Sequence, residues 1–287
     1  MQRQAPSCQV IQVASHRLDK QWERRRNRHK TVKMDPETRY MSVVVVDEKT
    51  DCVLLAVACS DGAIRLFSVI EGKRQIELLW ETFYHQRCVL SQCHKYVCVS
   101  LFVPLRFNLL FSAATDGKIA VWDFTEASFI STDALSNTPA SRVPCLVIPA
   151  HQSGINSLAV WKETLEQQEG CCLVTVASGG DDGQLTVSTV RVQYPDEGKT
   201  GRNQLNLYLN SQSHVPLAHA APLTDLKLLS PGLLVSTSSD QRVFLWRVSS
   251  TGISHSGAVF SHVADVDAGS GAEHECSTGA GQSWQLK

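Results

Sequence analysis

The sequence predicts an all-β protein built as an array of similar sheets, and three observations carry that prediction. One small pattern recurs four times: a hydrophobic run, small residues, an Asp, then alternating apolar residues that end on a bulky one. Three of the four aspartates, Asp61, Asp116 and Asp182, are followed directly by Gly. Every apolar stretch is strand-sized, far short of the roughly 20 residues a helix needs to cross a bilayer. Self-similarity of this kind is the mark of a repeat architecture, in which each unit buries its apolar face on its neighbour.

The four copies read CVLLAVACSDGAIRLF (52–67), LLFSAATDGKIAVWD (109–123), LVTVASGGDDGQLTVS (173–188) and LLVSTSSDQRVFLW (233–246). Each is a hairpin by its own chemistry. Apolar residues alternate on both sides of an Asp-Gly step, where Gly accepts a positive φ cheaply and Asp bonds the turn backbone. Six residues after the turn Asp stand Phe67, Trp122, Ser188 and Trp246 in turn, the fourth of these following Asp240. A His precedes at least two copies, as Ala150-His151 and Ala218-His219.

These residues resemble the WD-repeat family. Its units carry a His, a Ser or Thr, the turn Asp and a Trp, and the second copy keeps the Trp122-Asp123 dipeptide. The resemblance implies a β-propeller in which His219, a serine among Ser236 to Ser239, Asp240 and Trp246 form a buried hydrogen-bond chain. Such networks are kept whole or lost together, because an orphaned buried group costs about 1–3 kcal/mol. With Phe67 and Ser188 in place of Trp, the networks of the first and third copies are expected to be incomplete. All these residues, including Asp61, Asp116, Trp122, His151 and Asp182, are read as structural; a His, Ser and Asp repeated unit after unit is a feature of fold.

The remaining stretches fill in the organisation. Residues 1–15 are a leader to which the repeat assigns no role, 16–35 a basic segment, and 36–287 the propeller blades. Turn aspartates are 55, 66 and 58 residues apart, against about 40–45 for a WD repeat, so the surplus sits in polar insertions at 125–142, 162–170 and 192–203. Residues 259–269 with 274–286 read as a degenerate fifth unit. Propellers use about four to eight blades, so four clear units and a degenerate one are expected not to close a ring. The expectation is a piece of a larger protein, or an array whose open edges another segment or chain completes.

Composition excludes several classes. With 43% hydrophobic residues in 287 the chain can bury a substantial core, and a net charge of −1 sets up no global field for nucleic acid. The N-terminus lacks the order of a secretion signal. The ten cysteines are scattered through strand-like sequence, as free thiols of a reducing compartment are, and this points to the cytoplasm. Cys88, Cys93 and Cys98 with His85 and His94 fall close together, but without zinc-knuckle spacing, and adjacent Cys171 and Cys172 point to opposite faces of a strand. No phosphate-binding loop, dinucleotide fingerprint, zincin helix or nucleophile elbow is present, so no catalytic residue, cofactor or metal is assigned.

Locally the charge is different. The segment HRLDKQWERRRNRHKTVK (16–33) holds eight Lys and Arg against two acids. It has no Gly or Pro and could form a helix with Leu18 and Trp22 on one face. Arg24, Arg25, Arg26, Arg28, Lys30 and Lys33 could grip phosphates while Trp22 stacks or anchors; a solvated helix packed on a propeller rim is the plainer alternative. This segment, with DPETRYMS beside it and the repeats ACSDGAIRLF, SAATDGKIAVWD and AHAAPLTDLKLLSP, resembles the C-terminal part of a longer WD-repeat family. Its members regulate the tRNA methyltransferase that acts on the 2′-hydroxyl of the wobble nucleotide. That resemblance implies a non-catalytic scaffold, a separate FtsJ-type methyltransferase partner carrying S-adenosylmethionine, tRNA as a further partner, and no membrane. The competing reading is a protein–protein adaptor without RNA contact. Neither Trp122-Asp123 nor Trp246 is followed by the Trp-Asp-x-Arg ending of ubiquitin-ligase receptors.

Overall fold

The structure, a computed structural model, describes residues 11–16, 38–98, 106–124, 143–162, 171–193, 205–250 and 258–267. Among the described residues sixteen strands form four sheets, each a meander of four consecutive antiparallel strands. Sheet 1 holds β1 (Tyr40–Lys49), β2 (Cys52–Cys59), β3 (Ile64–Ile70) and β4 (Gln75–Thr82). Sheet 2 holds β5 (Val89–Cys98), β6 (Arg106–Ala114), β7 (Lys118–Asp123) and β8 (Leu146–Pro149). Sheet 3 holds β9 (Ile155–Lys162), β10 (Cys171–Gly180), β11 (Leu185–Gln193) and β12 (Asn206–Val215). Sheet 4 holds β13 (Leu223–Ser230), β14 (Leu233–Ser238), β15 (Arg242–Ser250) and β16 (Ala258–Asp267). The all-β propeller-blade reading is therefore correct. No helix among the described residues is long and apolar enough to cross a membrane.

One expectation changes. Residues 259–267, read as the start of a degenerate fifth unit, are the outer strand of sheet 4, paired along β15 from Arg242↔Asp267 to Ser250↔Ala258. The repeat is legible at the hairpin of the second and third strands, where a turn dictates residue types. An outer strand has no such obligation, so β16 carries nothing that marks it as the end of one unit and not the beginning of another. Residues 274–286 lie outside the described residues.

Period-2 alternation gives each sheet two apolar faces, and neighbouring sheets bury them against each other. Between sheets 1 and 2 lie Leu54, Ala56, Leu66 and Trp80 against Leu110, Trp122 and Phe124. Trp80 meets Trp122 and Phe124 edge-on at 6.3 and 5.9 Å. Between sheets 2 and 3 Leu109, Phe111, Ile119 and Val121 meet Val160, Val174, Val176 and Val190. Trp161, Ala177 and Val187 meet Leu226, Leu234 and Trp246 between sheets 3 and 4. Each large aliphatic or Phe side chain among them contributes about 1.5–3 kcal/mol on full burial, so the inter-sheet layers hold the arc together. The first strands β1, β5, β9 and β13 pack in succession and line its inner edge. Polar bonds also cross between sheets: Asn108 Nδ2 on β6 donates to the Val46 carbonyl on β1 at 3.1 Å, and Ser157 Oγ on β9 donates to Asp225 on β13 at 2.9 Å.

In such a meander the aspartate turns and the links between sheets emerge at one end. The links between first and second, and third and fourth, strands emerge at the other. The insertions near 125–142, 162–170 and 192–203 connect β7 to β8, β9 to β10 and β11 to β12, so all three leave from the end opposite the aspartates. Lys162, Val192 and Gln193 belong to strands; the rest of these insertions lies outside the described residues.

Candidate functional site

At the turn end, three sheets repeat one polar constellation. His85, His151 and His219 each stand four residues ahead of their sheet's first strand, and each reaches the turn Asp of that sheet. In sheet 4 His219 Nδ1 lies 2.9 Å from Asp240 Oδ2, and His219 Nε2 lies 2.7 Å from Ser236 Oγ. Trp246 Nε1 donates to the same serine oxygen at 2.8 Å. A carboxylate only accepts, so Nδ1 donates to Asp240; in the neutral ring Nε2 then accepts the serine proton. The chain Trp→Ser→His→Asp runs in one direction with each member satisfied. Asp240 also accepts from the backbone N–H groups of Ala220 and Arg242, which closes the turn.

Sheet 2 repeats this with Trp122, Ser112, His85 and Asp116, at 2.9 Å from Trp to Ser, 2.9 Å from Ser to His and 3.3 Å from His to Asp. Burial opposes ionisation of Asp116, but His85 and the backbone N–H groups of Lys118 and Gln86 outweigh it and hold the carboxyl below its ordinary range. Sequence reasoning had set His85 among possible metal ligands and passed over its place ahead of the second copy. The signal was available: His85 precedes Asp116 by 31 residues, as His151 precedes Asp182. Among the described residues no group of His, Cys, Asp and Glu is arranged to hold a metal ion; Cys93, His94 and Cys98 have no described side chains.

Sheet 3 keeps the His and loses the Trp. His151 bridges Asp182 at 3.1 Å and Ser178 at 3.0 Å. Ser188, at the Trp position, takes a bond from Gln212 Nε2 at 3.0 Å, which reaches on to the Pro149 carbonyl. Burial lowers the His151 pKa below its ordinary value, with Asp182 acting the other way.

Sheet 1 has a different solution. Val57 stands at the serine position and Phe67 at the Trp position, so there is no chain to complete. Asp61 is instead held by Arg65, whose guanidinium bonds both carboxylate oxygens at 3.2 and 2.8 Å and whose Nε lies 3.2 Å from Glu81. Burial works against the charge on Arg65, but the bonds to Asp61 keep it protonated. Beside it, burial pushes the Cys59 thiol up to about 11. Arg65 was not singled out from sequence; an Arg four residues after a turn Asp whose Trp is missing was the available sign.

The turns also lock neighbouring sheets together. A Cβ on Gly117 would lie 2.1 Å from the His151 carbonyl oxygen, and His151 N donates to the Gly117 carbonyl at 3.1 Å. The turn glycine of one sheet thus seats the histidine of the next. Sheet 4 has Gln241 there at φ 67, a position with no next histidine among the described residues.

Chemically these constellations are struts. Ser112, Ser178 and Ser236 are fully buried, and the oxygens of Ser112 and Ser236 are each shared between a Trp and a His. The other candidates, Trp22, Arg24, Arg25, Arg26, Arg28, Lys30 and Lys33, lie outside the described residues. Beyond them, Thr38 Oγ1 bonds Asp61 at 3.4 Å and Arg39 N bonds Ser60 Oγ at 2.9 Å.

No protein-family profile matches the chain. It is similar to the tRNA (34-2'-O)-methyltransferase regulator WDR6 of Rattus norvegicus, 42% identical over 275 residues, which is 91% of this chain and 24% of the relative. The proteins of that name from Homo sapiens and Bos taurus are 42% and 41% identical over 91% of this chain. The chain spans about a quarter of the length of the curated relatives it matches.

Proposed function

The chain belongs to the WD-repeat family and is homologous over 91% of its length to regulators of tRNA (34-2'-O)-methyltransferase, and on that premise we propose that it serves in the cytoplasm as a non-catalytic scaffold for wobble-position tRNA methylation. In this reading a separate FtsJ-type methyltransferase brings S-adenosylmethionine and the catalytic residues. This chain supplies a rigid surface that helps hold the enzyme and the anticodon loop in register. The observation that carries it is the match to proteins named as regulators.

The physical case is one of positioning. A 2′-hydroxyl reacts in line with a methyl donor only when the loop is held still, and orientation can account for about 7–11 kcal/mol of a barrier. Four sheets locked by buried struts make a body stiff enough to hold such a position. The basic residues Arg24, Arg25, Arg26, Arg28, Lys30 and Lys33 are its candidate RNA contacts, with Trp22 as a stacking or anchoring group. Phosphate and ribose contacts from such a segment orient an RNA without reading its sequence. The net charge of −1 favours a second reading, an adaptor that meets only proteins.

The test is binding of labelled tRNA across a salt series by the full chain and by a variant with Arg24, Arg25, Arg26 and Arg28 replaced by Ala. At about −0.7 per neutralised phosphate for single strands, loss of four contacts flattens the log–log slope by roughly 3. Equal slopes for the two proteins would remove the basic segment from any RNA contact and leave the adaptor reading.

A further inference from the structure

The turn end of the arc is divided by charge. Over sheets 1 and 2 the carboxylates are drawn inward. The side chains of Asp61 and Glu81 are 7% and 14% exposed beside Arg65, and that of Asp116 is 12% exposed beside His85. Arg39, Arg87 and Lys118 are exposed at the same end, and none of the three makes an ion pair among the described residues. Over sheets 3 and 4 the order is reversed. Asp181 and Asp182 are exposed at the turn there, against a single exposed cation at the turns of these two sheets among the described residues, Arg242.

Backbone contacts set Arg39, Arg87 and Lys118 in a row. Arg39 N donates to Ser60 Oγ and Ser60 N to the Arg39 carbonyl, both at 2.9 Å, so Arg39 sits at the turn of sheet 1. Two residues on, a Cβ on Gly62 would lie 3.1 Å from the Arg87 carbonyl oxygen, so the link that carries Arg87 lies against the same turn. The other side of that link meets the turn of sheet 2, where Gln86 N donates to Asp116 and Thr115 N donates to the Cys88 carbonyl at 2.9 Å. Lys118 follows Asp116 by two residues and shares a strand face with Ala120 and Trp122, which pack toward sheet 1; it therefore points back over the seam that the link covers. Two residues of chain span at most about 7 Å, so each cation stands one short step from the next, from turn to link to turn.

We propose that this row is a track for the phosphate backbone of single-stranded RNA, which on the scaffold reading above is that of the tRNA anticodon loop. The proposal rests on that reading for the identity of the RNA and on the charge division for the place. Separated cations with the carboxylates turned inward suit a chain that carries one negative charge per nucleotide, and two of the three are arginines, whose planar fork matches phosphate oxygens. Phe83 lies in the same link, 41% exposed, with the Arg65 guanidinium 5.6 Å from its ring centroid. Aromatic surface beside a cationic track is the pairing that single-stranded nucleic acids use, and an acidic peptide has no bases to stack on it. The exposed Asp181 and Asp182 repel phosphates, and this confines the strand to the half of the turn end over sheets 1 and 2.

The experiment measures binding of an unmodified tRNA across a salt series by the full chain, by R39A/R87A/K118A, and by K73A/K227A, which removes two exposed lysines that lie away from the row. Circular dichroism establishes that each variant is folded. The expected result for R39A/R87A/K118A is weaker binding at every salt concentration and a log–log slope flattened by roughly 2, at about 0.7 for each lost phosphate contact, while K73A/K227A matches the natural chain. Polyglutamate added as a competitor displaces none of the tRNA at equal charge. Binding by the natural chain with an unchanged slope in R39A/R87A/K118A overturns the track and leaves the scaffold reading standing. A natural chain that binds no tRNA at low salt overturns the track together with the RNA contact of that reading. Equal flattening in K73A/K227A means diffuse charge and no track, and displacement of tRNA by polyglutamate makes the surface a dock for an acidic protein; either result overturns the proposal.

Discussion

Replacing Ser236 with Ala tests the strut most sharply, because one oxygen serves two partners. Ser236 is fully buried, accepts the Trp246 indole N–H at 2.8 Å and bonds His219 Nε2 at 2.7 Å. Its loss removes the bond that each of these two buried groups makes to it, at about 1–3 kcal/mol apiece, so Ser236→Ala destabilises by roughly 2–6 kcal/mol. Trp246→Phe removes the donor and part of the ring, for about 1–3 kcal/mol of packing and hydrogen bonding. In the double variant the indole N–H that Ser236→Ala strands is already gone, so the combined loss falls short of the sum by about 1–2 kcal/mol. Sheet 1 makes the same point in the natural sequence: Val57 and Phe67 occupy these two positions as an apolar pair. The assay is equilibrium urea unfolding followed by far-ultraviolet circular dichroism on all four proteins. Additivity within about 0.5 kcal/mol would mean the two groups do not share a bond, and the strut argument fails.

Arg65→Met leaves the carboxylates of Asp61 and Glu81 without their cation and is expected to cost about 3–5 kcal/mol by urea unfolding, with Arg65→Lys recovering only part of it. Gly117→Ala drives a Cβ against the His151 carbonyl at 2.1 Å from a left-handed backbone; it should cost at least about 2 kcal/mol, while Gln241→Ala at the equivalent turn changes stability by less than about 0.5 kcal/mol. Acidification should weaken the fold in two stages. The His151 pKa is lowered on folding, so the unfolded chain binds its proton first, and stability present above about pH 6.5 is lost as pH falls from there. The Asp116 pKa is lowered too, so its contribution is intact above about pH 4 and lost below. Urea midpoints between pH 8 and 3 show the first stage, and H151Q removes it.

What the sequence disclosed follows from where local chemistry is constrained. Turn aspartates were legible because an Asp-Gly step restricts residue choice, and Trp122 and Trp246 because a fixed offset from the turn puts them on one face. His85 obeys the same spacing but sits in a stretch with three cysteines, and that company pointed to a metal. The outer strands β4, β8, β12 and β16 carry no recurring residue, so β16 passed for the start of another unit. For sheet 1, Phe67 signalled a missing partner correctly; that Arg65 holds Asp61 directly, with Glu81 beside it, rests partly on the pairing of β3 with β4, whose register no turn motif announces. The lock between Gly117 and His151 joins two units and could not be read within either.

The role as a methylation scaffold is tested most directly by reconstitution. Purified FtsJ-type methyltransferase, S-adenosylmethionine and unmodified tRNA are incubated with and without this chain, and 2′-O-methylation at the wobble nucleotide is followed by mass spectrometry. The account predicts methylation only when the enzyme is present, at a rate that rises at least tenfold with the chain. Methyl transfer by the chain alone, or an enzyme rate unmoved by saturating chain, would contradict it.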